Sequence, residues 1–303
     1  TGVEIVASPP GKSMKNINLL DSYNSEVKYE LTTFPDGEPH IKFLEDIDRK
    51  DSYNVVCRIT NPTELFVVMQ VGHILKRQGV LFNLTILYLM SMRMDRVINF
   101  NEAFTLEIVA NMINSFNAEH VYIFEAHSDR TFKLIKNSEP YYALNMNSDY
   151  NKMREDLYES ENSVICYPDH GAYERYSKDF YPTSAYLCMN KVRDLDNKGV
   201  IKSMEISEIH LPLMTEDEVK QITIIDDLCD GGGTFCWAAN ILRERFGKDV
   251  KLNIFIKHLV NPVGLEKLIN SFDNVYITDS YKDWEPKVII LNAQKKVHII
   301  HLT

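Results

Sequence analysis

Short apolar runs recur along the chain at intervals that leave room for a helix between them, and this alternation constrains the fold more than any other feature. The runs are Tyr53 to Ile59, Leu84 to Leu89, Val121 to Phe124, Ser163 to Cys166, Ile222 to Ile225 and Val275 to Thr278. They are continuous rather than alternating in polarity, as strands buried on both faces of a parallel sheet require. Helix-length stretches separate them, among them Leu65 to Gln78, Thr105 to Phe116 and Thr234 to Phe246, with apolar residues three and four apart. Strands that alternate with helices predict an α/β architecture with right-handed crossovers. The pattern appears on both sides of the polar stretch NMNSDYNKMRED, so two α/β domains are expected, residues 1–147 and 148–303, each a mainly parallel sheet flanked by helices. With 303 residues and 45% hydrophobic content, each has material for a core.

Charge narrows the function. Lys and Arg total 33 against 43 Asp and Glu, a formal net charge of -10, which argues against a surface for nucleic acid or anionic membrane. An anionic ligand must therefore be held locally, by a few placed cations, backbone N–H groups or a metal ion. The five cysteines are widely spaced with no CxxC pair, so neither a disulfide framework nor a zinc ribbon is indicated. No 18-residue apolar run occurs, and TGVEIVASPPGK lacks a basic segment followed by an apolar one, so a cytoplasmic location is expected.

In open α/β sheets ligands bind beyond the carboxyl ends of the strands. After ITII comes Asp226-Asp227-Leu228-Cys229-Asp230-Gly231-Gly232-Gly233-Thr234, then a helical stretch. The glycines can turn N–H groups toward an anion at the helix N-terminus, and the two leading carboxylates can accept hydrogen bonds from a sugar diol. This predicts a phosphorylated ribose as ligand. It is neither a P-loop nor GxGxxG. VYIF runs into Glu125-Ala126-His127-Ser128, where strand alternation would put Glu125 and His127 on one face, fit for a divalent ion; a histidine at a strand end can equally be a simple hydrogen-bonding group. SVIC leads to a turn carrying Asp169, and LTILYL to Arg93, Asp95 and Arg96, suited either to phosphate oxygens or to a surface ion pair. Phe34-Pro35-Asp36-Gly37-Glu38 pairs an aromatic face with two acceptors for a purine, or is only a turn.

Taken in order, these segments resemble the ribose-phosphate pyrophosphokinase family over roughly residues 30 to 280. FPDGE resembles its adenine-binding loop, RMDR its ATP-binding RQDR and EAHS its metal-binding DLHS. PDHG (168–171) matches outright, Asn61-Pro62 matches a dipeptide of the first domain, and Lys191-Val192-Arg193 resembles the K-x-R of a mobile catalytic loop. DDLCDGGGT resembles the ribose 5-phosphate loop, usually DDxxDTxGT.

The resemblance implies two tandem phosphoribosyltransferase-type domains, Mg2+ as cofactor, and transfer of the β,γ-diphosphate of ATP to the C1 hydroxyl of ribose 5-phosphate, with AMP released. It implies ATP binding at Phe34, Asp36, Glu38, Arg93, Asp95 and Arg96, metal at His127, Asp169 and Glu125, and catalysis by Lys191 and Arg193. Sugar-phosphate binding falls to Asp226, Asp227, Asp230, Gly231, Gly232, Gly233 and Thr234. A homo-oligomer is implied, a dimer or a ring of dimers, because FPDGE reaches a neighbouring subunit's site in the family. Departures accompany it: Gly231 replaces the usual Thr, VINFNE (97–102) replaces a basic stretch, and KHLVNPVG (257–264) replaces THGLFSG. Gly231 leaves two substrates open, ribose 5-phosphate or a 5-extended ribose such as ADP-ribose. A non-catalytic regulatory homologue is a further alternative, although His127, Asp169, Lys191 and Arg193 are all present.

Overall fold

The computed structural model describes residues 14–145, 147–180, 184–194 and 200–303, with residues 192–194 and 200–202 described by their backbone only. The chain divides into two compact units, Thr1–Ala143 and Leu144–Thr303.

The first unit contains β1 (Met14–Asn18), β2 (Tyr29–Thr33), β3 (Pro39–Phe43), β4 (Ser52–Ile59), α1 (Pro62–Gln78), β5 (Phe82–Leu89), α2 (Thr105–Asn114), β6 (Val121–Ile123), α3 (Arg130–Leu134) and β7 (Ser138–Pro140). A parallel sheet runs in the order β1-β4-β5-β6-β7, while β2 and β3 form a separate antiparallel hairpin. Every residue of β5 is buried, which is why its sequence shows no alternation. The Asn61-Pro62 pair has a local role: Asn61 caps α1 by accepting from the Glu64 N–H at 3.0 Å, and Pro62 occupies the first turn, where its missing N–H is harmless.

The second unit contains α4 (Ser148–Tyr158), β8 (Ser163–Tyr167), α5 (His170–Tyr176), β9 (Tyr186–Asp194), β10 (Val200–His210), β11 (Gln221–Cys229), α6 (Gly233–Phe246), β12 (Lys251–Leu259), α7 (Pro262–Ser271), β13 (Asn274–Thr278), α8 (Glu285–Ile290) and β14 (Val297–Ile300). Its seven-stranded sheet has the order β10-β9-β8-β11-β12-β13-β14, parallel except for β10, which turns back antiparallel on β9. Val164, Ile222, Ile224, Ile254, Ile256 and Ile277 lie at its buried centre. From β8 the chain goes to β9 on one side and later returns to β11 on the other, so the strand order reverses between β8 and β11. Such a switch point opens a crevice at the strands' carboxyl ends.

Among the boundaries that differ from the sequence expectation, two bear on the candidate site. The strand expected to stop at Ile225 continues through Cys229, paired with β12 at Asp226, Leu228 and Cys229, so Asp226 and Asp227 stand on a strand and not in a loop. Conversely, β6 ends at Ile123, and Glu125 adopts a left-handed backbone with φ 46°. The alternation that would place Glu125 and His127 on one strand face therefore does not extend to them. Among the described residues, no helix is long and apolar enough to cross a membrane.

Candidate active site

Charged side chains meet at the switch point of the second unit. Asp169 ends the turn after β8, caps α5 by accepting from the Ala172 N–H at 2.9 Å, and forms an ion pair with Lys191 of β9. On β11, Asp227 is 5% exposed and its Oδ1 lies 2.8 Å from Nη1 of Arg175, which projects from α5; Asp226 Oδ1 is 3.9 Å from the same atom. Three carboxylates and two cations thus gather where β8, β9 and β11 end.

Their titration divides the work. Burial pushes the Asp226 carboxyl well above the usual range, and the neighbouring Asp227 and Asp169 carboxylates push it further. Burial also acts to raise Asp169, but the Lys191 ammonium, the Ala172 N–H and Arg175 outweigh it and hold that carboxyl below its ordinary value. For Arg175, burial opposes the charge, yet Asp227 and Asp226 raise its pKa overall. Asp226 and Asp227 therefore act as an unequal pair: one favours its proton, the other faces a guanidinium. Together they offer both a donor and acceptors, as a vicinal diol requires.

Beyond this pair lies the short glycine loop. Gly232 has φ 74°, the left-handed conformation that needs glycine, and α6 begins at Gly233 with no side-chain cap. The first-turn N–H groups of Gly233 and Thr234 thus lack a capping side chain and suit an anion. Helix α7 sets the loop's shape. Asn261, its N-cap, donates to Asp230 Oδ1 at 3.0 Å, and a Cβ on Gly264 would stand 2.0 Å from the Asp230 carbonyl oxygen. Gly231 differs: a Cβ there would meet nothing within 4 Å, and its φ is not among the positive ones.

Lys191 was expected in a mobile loop, yet Lys191 to Asp194 form the end of β9, with Lys191 opposite Met204 and Arg193 opposite Ile201 of β10. The Arg193 side chain and residues 195–199 lie outside the described residues. Sequence reading missed Arg175 and Lys257. Arg175 follows Asp169 on α5, and its signal was a basic residue less than two turns into a helix that starts at a candidate site. Lys257 is 3% exposed, with its ammonium 4.8 Å from the Tyr176 ring centre and 5.4 Å from that of Phe255, a buried cation held by aromatic faces. A lysine in a continuous apolar strand was the available sign.

In the first unit, Asp95 is 4% exposed; Arg96 Nε donates to its Oδ1 at 3.1 Å, and Arg130 donates to its backbone carbonyl at 3.3 Å. Burial acts to raise its carboxyl, but the Ser128 hydroxyl, Arg96 and His127 lower it overall. The RMDR and EAHS turns are thus neighbours, with Asp95 turned inward as their anchor. Phe34 to Glu38 form the tip of the β2–β3 hairpin, closed by bonds from the Phe34 N–H to the Glu38 carbonyl at 2.9 Å and from the Gly37 N–H to the Phe34 carbonyl at 2.8 Å. Phe34 is half-exposed there.

Among the described residues, no three His, Cys, Asp or Glu side chains are arranged to hold a metal on their own. The Asp169 carboxylate, held below its ordinary pKa beside Lys191, is the hard oxygen donor that Mg2+ takes, and this ion characteristically uses one or two carboxylates and completes its shell with water and substrate phosphates. The donor set fits an ion shared with a phosphorylated substrate.

No protein-family model matches the chain. Curated relatives do. It is 25% identical over 283 residues to the ribose-phosphate pyrophosphokinase of Pyrococcus abyssi, covering 90% of this chain and 91% of that one. It is 24% identical over 284 residues to that of Mycoplasma genitalium, covering 90% and 81% respectively. The crystal structure of phosphoribosylpyrophosphate synthetase from Mycobacterium smegmatis superposes with a TM-score of 0.71 at 16% identity, over 96% of this chain and 95% of that one. That likeness shows the fold, two phosphoribosyltransferase-like domains. In sequence and in fold, the chain is similar to an enzyme family, the ribose-phosphate pyrophosphokinases.

Proposed function

We propose that the protein transfers the β,γ-diphosphate of ATP to the C1 hydroxyl of a 5-phosphorylated ribose. The observation that carries this reading is the meeting of Asp169–Lys191 and Arg175–Asp227 at one switch point, beside an uncapped α6 N-terminus. The C1 oxygen bonds to the β-phosphorus as the bond to the α-phosphate oxygen breaks; AMP leaves, and the hydroxyl proton passes to solvent. Nothing covalent is asked of the protein, so catalysis is positioning and charge neutralisation. Asp226 and Asp227 hold the ribose hydroxyls, and the N–H groups of Gly233 and Thr234 hold the 5-phosphate. Lys191 exchanges Asp169 for the transferring phosphoryl oxygens, Arg193 joins it, and the freed Asp169 would be available to hold a metal ion. Asp169 in the second unit, and His127 and Glu125 in the first, are the residues that would each hold Mg2+, which would supply charge compensation to the triphosphate. Arg93 and Arg96 serve ATP phosphates. The exposed hairpin tip with Phe34, Asp36 and Glu38 serves the adenine of a second copy, making the active species a homo-oligomer.

A second reading concerns the sugar. Gly231 is not demanded by its backbone and faces open space, so the room that a threonine would fill is available to a group attached to the 5-phosphate, as in ADP-ribose. Both readings are tested by incubating the protein with ATP, Mg2+ and either ribose 5-phosphate or ADP-ribose, and following AMP and the diphosphorylated sugar by mass spectrometry. Sugar-dependent AMP is expected. Its absence with both sugars would sink the enzymatic reading and favour a regulatory homologue. Gly231→Thr should lower use of ADP-ribose relative to ribose 5-phosphate; an unchanged ratio would remove Gly231 from substrate choice.

A further inference from the structure

Beside the glycine loop stand two side chains that the transfer itself does not use. Trp237 lies four residues after Gly233 on α6, so the two share a helix face, and helical side chains lean toward the N-terminus. While Phe235, Ala238 and Ala239 point into the core, Trp237 remains 37% exposed; the other tryptophan, Trp284, is fully buried. A Cβ on Gly231 or Gly233 would meet nothing within 4 Å, so the indole does not pack onto the loop and the space above these two glycines is open. Helix α7 provides the opposite wall. The Lys267 Cβ lies 3.4 Å from where a Gly232 Cβ would stand, and the seam below is closed by Cys236, whose Sγ is 3.9 Å from the Lys267 carbonyl oxygen and 3.2 Å from Ser271 Oγ. Lys267 is exposed, and the adjacent Glu266 is engaged by Lys287 at 2.6 Å.

The loop's own chemistry explains what these residues could add. Backbone N–H groups at the start of α6 can serve one phosphate, but the loop carries Asp230 and no cation, so a second phosphate would find repulsion there. Lys267, whose Cβ stands beside Gly232, is a cation whose side chain is long enough to reach that position. A planar aromatic group following the second phosphate would find the indole face, with no side chain on Gly233 in the way.

We propose that Trp237 and Lys267 form a specificity subsite for a nucleoside diphosphate carried on the sugar's 5-position. Lys267 neutralises the phosphate distal to the ribose, and Trp237 stacks the base. The substrate class is then a nucleoside diphosphate ribose with a free C1 hydroxyl. This rests on the second reading above, and deepens it by naming the residues that would recognise the extension.

The test uses the full chain with ATP, Mg2+ and either ADP-ribose or ribose 5-phosphate, for the wild type and for Trp237→Ala, Trp237→Phe and Lys267→Ala. Losing a base stack or a phosphate contact should raise the KM for ADP-ribose roughly tenfold with kcat little changed. The KM for ribose 5-phosphate should not move, and Trp237→Phe should recover most of the loss. Separately, ADP-ribose added without ATP or metal should quench tryptophan fluorescence in the wild type but not in Trp237→Phe, whose remaining Trp284 is buried. If the wild type uses ADP-ribose and the variants match it, the subsite is wrong while the second reading stands. If it uses ribose 5-phosphate alone, both fail and diphosphate transfer survives. Should it use neither sugar, the fluorescence titration decides, and equal quenching in Trp237→Phe or none in the wild type overturns the subsite.

Discussion

Strand ends in the two units handle buried charge differently. In the first, Asp95 is enclosed by its own turn, with Arg130 on its backbone carbonyl, and its carboxyl is held low, against burial, by the Ser128 hydroxyl, Arg96 and His127, so the acid is already satisfied by two neighbouring turns. In the second, Asp169, Asp226 and Asp227 come from two strand ends and share two cations from two further elements, with Asp226 pushed up by burial and by the neighbouring Asp227 and Asp169 carboxylates. The contrast separates an acid that shapes a turn from acids kept in unfinished balance, which a charged ligand can complete. Perturbed carboxylates of the second kind are where chemistry tends to reside.

Mutations can break or sharpen this contrast. The largest effect is expected from Arg175→Ala, which strands Asp227, 5% exposed, beside Asp226 without its guanidinium. Removing one partner of a largely buried pair should cost about 3 kcal/mol, read as a lower urea midpoint with an unchanged slope. A loss below about 1 kcal/mol would mean the cluster is solvated like a surface pair. Gly264→Ala comes next, because the new methyl must displace the Asp230 carbonyl from 2.0 Å. A cost of about 1–3 kcal/mol is expected, together with a raised KM for the sugar. Full stability with unaltered KM would show that α7 does not shape the loop.

Asp226→Asn is smaller and depends on pH. The folded pKa of Asp226 is raised, so its contribution is fully favourable only below the unfolded value near 4 and declines as pH rises toward the folded value. The variant should therefore melt higher than the wild type at pH 7, with the gain vanishing toward pH 4. Asp169 has the opposite sign, its lowered pKa giving stability above about pH 4 that is lost as pH falls through the folded value. A variant advantage that grows on acidification would reverse the assignment. Smallest of all should be Arg96→Ala in the first unit, where the guanidinium is 67% exposed and its pair is worth at most about 1 kcal/mol; a melting-temperature change matching that of Arg175→Ala would erase the distinction between the units.

Much of the frame was legible because it depends on local rules. Continuous apolar runs such as Leu84 to Leu89 became β5, and the periodic stretch from Thr234 became α6. What escaped depends on partners distant in the chain. Asp226 and Asp227 read as loop residues, yet pairing with β12 keeps them in a strand. Glu125 read as the next step of an alternation that a left-handed turn interrupts. Arg175 carried no local mark of its bond to Asp227, since the two are brought together only by the packing of α5 beside β11. The glycine triplet was legible as a cradle, but its members are unequal: Gly232 is fixed by its own φ, and Gly231 by nothing nearby.

That last inequality bears on how such a site can change over time. The curve of the loop is enforced from outside, by a glycine on α7 whose replacement would collide with the backbone, whereas the residue inside the loop that faces open space is free to vary. If position 231 selects the ligand, as proposed, stability and ligand choice are under separate control. A lineage could exchange one acceptor sugar for another at position 231 without first acquiring a compensating mutation, because the part of the protein that would object to the change is not in contact with it.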